Sequence, residues 1–254
     1  MYTYVVAGLR RREFVWRKGV FHVAVLPDPG KRRSSGLSRE LVLSTALQII
    51  DEDGVDGLSM RRLARALDCD PMSLYRHAAT KAELLDGVAE AVLGELTVDT
   101  TDEDWAAQLR AVARQFRALA RAHPHVVPLL VTRPLATPLA LRPLGTLRPL
   151  EAILELLIGA GFSDVDALHI YRSFYGFIQG HVLNELQELV ENDEETDDLL
   201  RLGLHRLPLR EFPQLRSLAP VLAHYDRAAE LEQGVDILLA GLRTQLGPSR
   251  SPQV

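Results

Sequence analysis

The polar side chains best suited to chemistry in this sequence lie close together between residues 61 and 81. The run 72–77 reads Met-Ser-Leu-Tyr-Arg-His and offers hydroxyl, guanidinium and imidazole groups at neighbouring positions. Such groups hydrogen-bond to phosphates and base edges of DNA, and an arginine such as Arg76 can pair bidentately with guanine. A short helix with few bulky core residues suits a major groove about 12 Å wide. The run therefore predicts a DNA-reading helix.

Capping signals predict the helices that position this run. Ser38 is a good N-cap for a first helix that ends at Gly54, and Ser59 caps a second. Asp70-Pro71 starts the third helix with an aspartate cap and a proline at its first position. Thr80 and Glu83 form a capping box that opens a fourth helix, on which Lys81 lies. Three helices thus form a helix-turn-helix domain, and the fourth leads out of it.

The rest of the chain has helical periodicity, and no segment shows sustained alternation of period two. The fold class predicted is all-α, with an N-terminal three-helix helix-turn-helix domain and a helical ligand-binding and dimerisation domain. The prolines between 124 and 149 predict short helices and bends, and 199–220 reads as irregular with short helical turns. Longer helices are predicted over 103–122, 149–160, 164–190 and 225–246.

Four segments of different composition are predicted along the chain. Residues 1–36 carry eight basic residues against two acids, a local charge of +6, and read as an irregular, disordered arm. Phosphate contacts to DNA are one interpretation of this arm; a solvated tail or a start codon assigned too early are the alternatives. The helix-turn-helix domain occupies 37–96, the helical domain 97–246 and a disordered polar tail 247–254.

Composition argues against several classes of protein. The formal charge is −5 and there is a single cysteine, Cys69, so neither a disulfide framework nor a cysteine-based zinc site is expected. No P-loop, G-x-S-x-G, H-E-x-x-H or G-x-G-x-x-G signature occurs, so we expect no enzyme, no cofactor and no metal. The His123–His125 pair and the acidic run 191–198 read as structural. No apolar run reaches the roughly 20 residues of a membrane span, and a cytoplasmic location is expected.

The segment Leu41–Ala89 resembles the tetracycline-repressor (TetR) family of transcriptional regulators. The resemblance is carried by Leu58-Ser59-Met60-Arg61-Arg62-Leu63-Ala64, by Leu74-Tyr75-Arg76-His77-x-x-x-Lys81 and by Leu84-Leu85-Asp86. It implies that Arg61 and Ser73 reach the major groove and that Tyr75 and Lys81 hold phosphates. The amide groups at the start of the fourth helix would add to the attraction of a phosphate near Lys81.

Three further residues are candidates for DNA contact. Met72 and Arg76 are candidate base or backbone readers particular to this chain. His77 is a candidate as well, although packing or capping is the alternative for it.

The resemblance continues beyond the helix-turn-helix. Thr132-Arg133-Pro134, Gly161-Phe162-Ser163, Gly180-x-Val182-Leu183 and Gly241-Leu242-x-x-Gln245-Leu246 look like the ligand-binding domain of tetracycline repressors. It implies a homodimer in which the helices 164–190 and 225–246 of two subunits form a four-helix bundle. Gly176 and Gly180 would allow close approach across that bundle; packing within one subunit is the alternative for them.

The chain also departs from the tetracycline repressors. Leu129, Thr97 and Gly176 stand where the family implies metal-binding imidazoles, and Asn184 replaces a glutamate. A drug–magnesium chelate is therefore not expected to bind. A largely apolar pocket between the fifth and eighth helices remains the expected ligand site. Its candidate residues, for each of which core packing is the alternative, are Phe116, Thr132, Arg133, Phe174, Phe177 and His181.

The function predicted is that of a repressor that leaves a palindromic double-stranded operator when it binds a small-molecule effector. An activator, or a regulator of the same fold without a ligand, is the alternative.

Overall fold

The computed structural model describes residues 12–17, 20–25, 37–102, 104–136, 138–190, 203–223 and 226–246. The chain divides into two compact units, 1–37 and 38–254, and each is described by itself. The disordered tail predicted over 247–254 and the acidic run 191–198 lie outside the described residues.

The first unit contains two strands where the sequence predicted an irregular arm. Strands β1 (Arg12–Arg17) and β2 (Val20–Val25) pair antiparallel, with Trp16 opposite Phe21. Aromatic and β-branched residues dominate both strands, and these residue types favour extended backbone. The prolines and glycines that argued for irregular structure fall between 27 and 36, outside the described residues.

The second unit is all-α and begins with the helix-turn-helix. Its described helices, in chain order, are α1 (Arg39–Gly57), α2 (Met60–Ala66), α3 (Pro71–Leu74), α4 (Lys81–Leu93), α5 (Trp105–Ala122), α6 (Val127–Ala136), α7 (Leu144–Gly159), α8 (Asp164–Val190), α9 (Pro213–Ser217), α10 (Ala219–Ala223) and α11 (Arg227–Leu246).

The four predicted N-caps are confirmed. The side chains of Ser38, Ser59, Asp70 and Thr80 each accept a hydrogen bond from a backbone N–H two or three residues on, at 2.7–3.2 Å. The Glu83 carboxylate closes the α4 cap by accepting from the Ala79 N–H at 2.8 Å. These caps satisfy donors that a helix start would otherwise leave unpaired.

Helix α1 continues beyond its predicted end. Gly54 adopts a φ of 73°, which interrupts the helix, but a further turn carries α1 to Gly57. Glycine tolerates this left-handed conformation at little cost. Val55, in this further turn, accepts a hydrogen bond from Lys81 at the start of α4.

Helix α7 begins five residues earlier than predicted, at Leu144, and runs through the buried Pro149. A proline in the second turn of a helix removes one hydrogen bond, and here the rest of the helix is long enough to continue past it. The predicted mixture of short helices and bends between 124 and 149 is otherwise confirmed by α6 and a 3-10 turn at Leu139–Leu141.

The larger helices bury a continuous core. Helix α5 packs against α7, α8 and α11, and α4 packs against α1, α6 and α7. Leu109 on α5, Leu157 on α7 and Ile170 on α8 are fully buried. Helix α4 therefore belongs to the cores of both the helix-turn-helix and the helical domain. Within the described residues, no helix is long and apolar enough to cross a membrane.

Candidate nucleic-acid interface and ligand-binding domain

Helix α3 is short, and only one of its residues anchors it in the core. Leu74 is completely buried, whereas Met72 is 72% and Tyr75 45% exposed. Arg76 is also exposed, and Ser73 and His77 are half-buried. The predicted reader residues on and just after α3 therefore lie together on one short segment, and most of them face solvent.

The arginines of α2 differ in their surroundings. Arg62 pairs with Asp53 and also donates to the Gly57 carbonyl at 3.4 Å, so it fastens α2 to the end of α1. Arg61 and Arg65 are exposed and form no ion pair within the described part of the chain. Their guanidinium groups are therefore available to an external anion, and Arg62 is not.

The ammonium group of Lys81 already forms a hydrogen bond within the protein. Its Nζ donates to the Val55 carbonyl at 3.1 Å, in the turn of α1 that follows Gly54. The ammonium group thus ties the start of α4 to the end of α1 and remains half-buried beside α3. Thr80 and Glu83 already engage N–H groups at the same helix start, so any phosphate attraction there depends mainly on Lys81.

Cys69 lies in the turn between α2 and α3. Burial raises the pKa of its thiol, and the negative charges of Asp70 and Asp68 raise it further. A raised pKa disfavours the thiolate, which is the reactive form. This environment favours a structural role for Cys69 over a redox role.

Two family models match the chain and cover nearly all of the second unit. Residues 42–88 match the family described as bacterial regulatory proteins, tetR family, and residues 98–246 match the tetracyclin repressor-like C-terminal domain. The chain belongs to the TetR family of DNA-binding transcriptional regulators.

Relatives and solved structures agree with this TetR assignment. The chain is 34% identical to the HTH-type transcriptional repressor DrrR1 of Streptomyces coeruleorubidus, over 88% of each chain. It is 30% identical to the class C tetracycline repressor protein of Escherichia coli, covering 81% of this chain and 90% of that one. The crystal structure of ActR from Streptomyces coelicolor, in complex with actinorhodin, aligns with a TM-score of 0.67 at 30% identity, covering 83% of this chain and 98% of that one.

The structure separates the predicted ligand-contacting residues of this TetR-type domain into two groups. Phe116 and Phe174 are fully buried between the helices. Phe177 and His181 lie against α11 instead: Phe177 packs over Gly234, and His181 Nε2 lies 3.2 Å from the Arg227 carbonyl. Thr132 and Arg133 belong to α6, but their side chains lie outside the described residues.

Two tyrosines that the sequence analysis did not single out stand beside Phe116. Tyr171 and Tyr175 stack with ring centroids 5.4 Å apart and an interplanar angle of 17°, and Phe116 lies 5.9 Å from Tyr175. Burial raises the pKa of Tyr175 strongly, and the hydrogen bond from Gln179 opposes this only in part. Both phenols are therefore neutral near pH 7 and can act as donors. In the sequence, the spacing of these two tyrosines by one helical turn was the feature that could have indicated the stacked pair.

The residues at the expected chelate positions are not arranged as a metal site. Leu129 is buried, and Thr97 is engaged by Gln115, whose Oε1 accepts from both its N–H and its hydroxyl at 2.8 and 2.9 Å. Gly176 and Asn184 are exposed. Among the described residues, no group of three histidines, cysteines or acids could hold a metal ion.

The two histidines at the α5–α6 junction join the ligand-binding domain to α1. His123 Nδ1 donates to the Asp51 carboxylate at 2.8 Å, and His125 Nδ1 donates to the Ile50 carbonyl at 3.0 Å. These contacts support the prediction that both histidines are structural.

Glu90 on α4 forms a second junction between the domains. Its carboxylate accepts from the Gly145 N–H at 2.9 Å and from Arg39 at 3.3 Å. It thereby links the first turn of α7 to α4 and α1. A displacement of α7 can therefore be transmitted through the hydrogen bonds of Glu90 to α4 and α1, the helices of the DNA-binding domain that it contacts.

Helices α8 and α11 carry small and apolar residues that are exposed to solvent. A Cβ added at Gly176, Gly180 or Gly241 would meet no atom within 4 Å. Val165 is 77% and Ile237 68% exposed. These glycines therefore do not serve packing within one subunit, which was the alternative to a dimer interface.

Proposed function

We propose that this protein is a homodimeric repressor that binds a palindromic operator through α3 and leaves it when a small-molecule effector binds. The observation that carries this proposal is the environment of α3. Buried Leu74 fixes the helix, while Met72, Tyr75 and Arg76 are exposed, and the exposed Arg61 forms no ion pair among the described residues.

Each reader residue has a chemically distinct role in this proposal. Arg61, Ser73 and Arg76 contact base edges in the major groove, because their donors match guanine and other bases. Tyr75 and Lys81 contact phosphates and set the register, and phosphate contacts carry no sequence information. His77 is half-buried, which suits the packing or capping role better than contact with a base. The Lys81 ammonium group uses one of its three donors on the Val55 carbonyl, and the other two are the ones that would contact a phosphate.

Release of DNA depends on α4. The helix takes part in both domains, and Glu90 links it to the first turn of α7. An effector that binds more tightly to one position of α4 than to the other shifts the spacing of the two α3 helices in the dimer. The change in DNA affinity cannot exceed this difference in effector affinity, whatever the absolute affinity is.

The effector is a planar aromatic molecule in this proposal. The stacked rings of Tyr171 and Tyr175 offer an aromatic surface with hydroxyl groups, and the fully buried Phe116 supports Tyr175 from the core. Aromatic rings prefer such offset stacking. The solved ActR complex contains actinorhodin, which makes that compound a suitable first probe.

The proposal is tested by competition on DNA. A selected operator is bound to the protein, and actinorhodin is added while fluorescence anisotropy reports the bound fraction. We expect release from the wild type and much weaker release from Tyr171→Ala. Ile158→Ala, an exposed apolar residue on α7, is the control and should behave as the wild type. Binding of actinorhodin without any change in operator affinity would contradict the proposed coupling.

A further inference from the structure

Met72 is the most exposed large apolar side chain in the described part of the DNA-binding domain. It is 72% exposed, whereas the next values in residues 38–93 are 46% for Leu41 and 45% for Tyr75. An exposed methionine at this place is not needed by the core, because Leu74 alone anchors α3 and is completely buried.

The outward direction of Met72 is fixed by its neighbours. The Asp70 carboxylate accepts from the Met72 N–H at 2.7 Å, and Pro71 occupies the first helical position. Leu74 follows two residues later, about 200° around the helix axis. Burial of Leu74 therefore directs Met72 to the opposite side of α3, which is the side that the proposed DNA complex would place in the groove.

The chemistry of the side chain limits what it can recognise there. A thioether has no hydrogen to donate and is only a weak acceptor. Base edges in the major groove present donors, acceptors and one apolar group, the C5 methyl of thymine. Methionine is also flexible enough to follow that methyl closely.

We infer that Met72 packs against the C5 methyl of one thymine in each operator half-site and so makes that base pair a determinant of sequence specificity. The inference rests on the proposed function, since it concerns the same DNA interface. Met72 contributes no phosphate contact, so its effect is confined to sequence preference and leaves non-specific binding unchanged.

The experiment replaces each thymine of a selected operator by deoxyuridine, in both half-sites together. Deoxyuridine keeps the base pair and the O4 acceptor and removes only the methyl. We expect one position at which the wild type loses about fourfold in affinity per half-site, or about fifteenfold for the dimer, the value for one buried carbon. Met72→Ala should bind the thymine operator more weakly and be indifferent to deoxyuridine at that position.

The control is Leu144→Ala, which truncates a residue 75% exposed in the ligand-binding domain. It should keep the wild-type response to deoxyuridine. The inference is overturned if no position responds, if the half-site contains no thymine on either strand, or if Met72→Ala keeps the full response. In these three cases the operator is still bound and the proposed function stands. Failure to obtain any operator overturns the proposed function and this inference together.

Discussion

Tyr75 and Lys81, two side chains assigned to phosphates, differ in what they do in the free protein. Tyr75 is 45% exposed, so contact with DNA can be the sole role of its phenol. Lys81 donates to the Val55 carbonyl and therefore also stabilises the junction of α1 and α4. The sequence indicated both residues as DNA contacts, but only the folded chain brings Val55 and Lys81, 26 residues apart, into contact. The double role of Lys81 could not be predicted from local spacing.

Tyr75→Phe should weaken binding to operator and to random DNA by the same factor. The loss of one hydrogen bond to a charged phosphate corresponds to about 2 kcal/mol, or about thirtyfold in affinity, in each half-site. The melting temperature should not change, because the hydroxyl faces solvent. Anisotropy titrations on both duplexes measure the two factors. Arg76→Ala is the comparison, and it should weaken operator binding far more than random binding. Unequal factors for Tyr75→Phe would contradict a phosphate role.

Lys81→Met should affect both DNA binding and stability. The slope of log affinity against log salt concentration should become less steep by about 2 for the dimer, because each of the two half-sites loses one phosphate contact. The free energy of unfolding should fall by about 1 kcal/mol with the bond to Val55. Titrations at several salt concentrations and urea unfolding measure the two effects. An unchanged salt slope would show that Lys81 is purely structural.

At the scale of helices, the features that the sequence predicted correctly are those determined by interactions between near neighbours in the chain. Caps at Ser38, Ser59, Asp70 and Thr80 depend on neighbours within three residues, and all four are confirmed. The predicted start of α7 was wrong because Pro149 was interpreted as a helix boundary. The paired strands β1 and β2 were not predicted because the interpretation of residues 1–36 rested on their charge and on the prolines and glycines near their end. The Tyr171–Tyr175 stack was also missed, since an i, i+4 pair of aromatics predicts core as readily as a ligand surface.

The outer side of α8 gives a test of the dimer. Gly176→Arg should leave the subunit folded, since nothing lies within 4 Å of the added Cβ, and should prevent the proposed four-helix bundle from closing. Sedimentation should then show a monomer, and operator affinity should fall. Gly159→Arg is a matched control on α7, where the space is equally open. A stable Gly176→Arg dimer would exclude this stripe as the interface.

At the scale of the whole molecule, regulation depends on how the two domains are joined. His123 and His125 fasten the α5–α6 junction to α1, while Glu90 fastens α7 to α4. Glu90 approaches Gly145 so closely that there is no room for a side chain: an added Cβ would overlap the Glu90 side chain, whose carboxylate carbon would lie only 2.8 Å away. The glycine is therefore required by the junction rather than by the backbone of α7.

Gly145→Ala should uncouple the domains in part. The added methyl must displace Glu90 or separate α4 from α7, and overpacking of this kind costs about 1–3 kcal/mol. We expect a lower melting temperature and a weaker effect of actinorhodin on operator affinity, with operator binding retained. Thermal unfolding and the anisotropy competition report these changes. Gly159→Ala is the control, and equal behaviour of the two variants would argue against a role for the Glu90 junction.

The central claim, that α3 reads a palindromic DNA sequence, is tested most directly by selecting bound sites from a random double-stranded library. Tyr75→Phe and Lys81→Ala are selected in parallel. The account predicts that the wild type enriches a palindrome and that both variants enrich the same palindrome but retain less DNA at equal protein concentration, because the lost phosphate contacts carry no sequence information. Absence of any enriched sequence at low salt, where phosphate attraction is strongest, would contradict the claim.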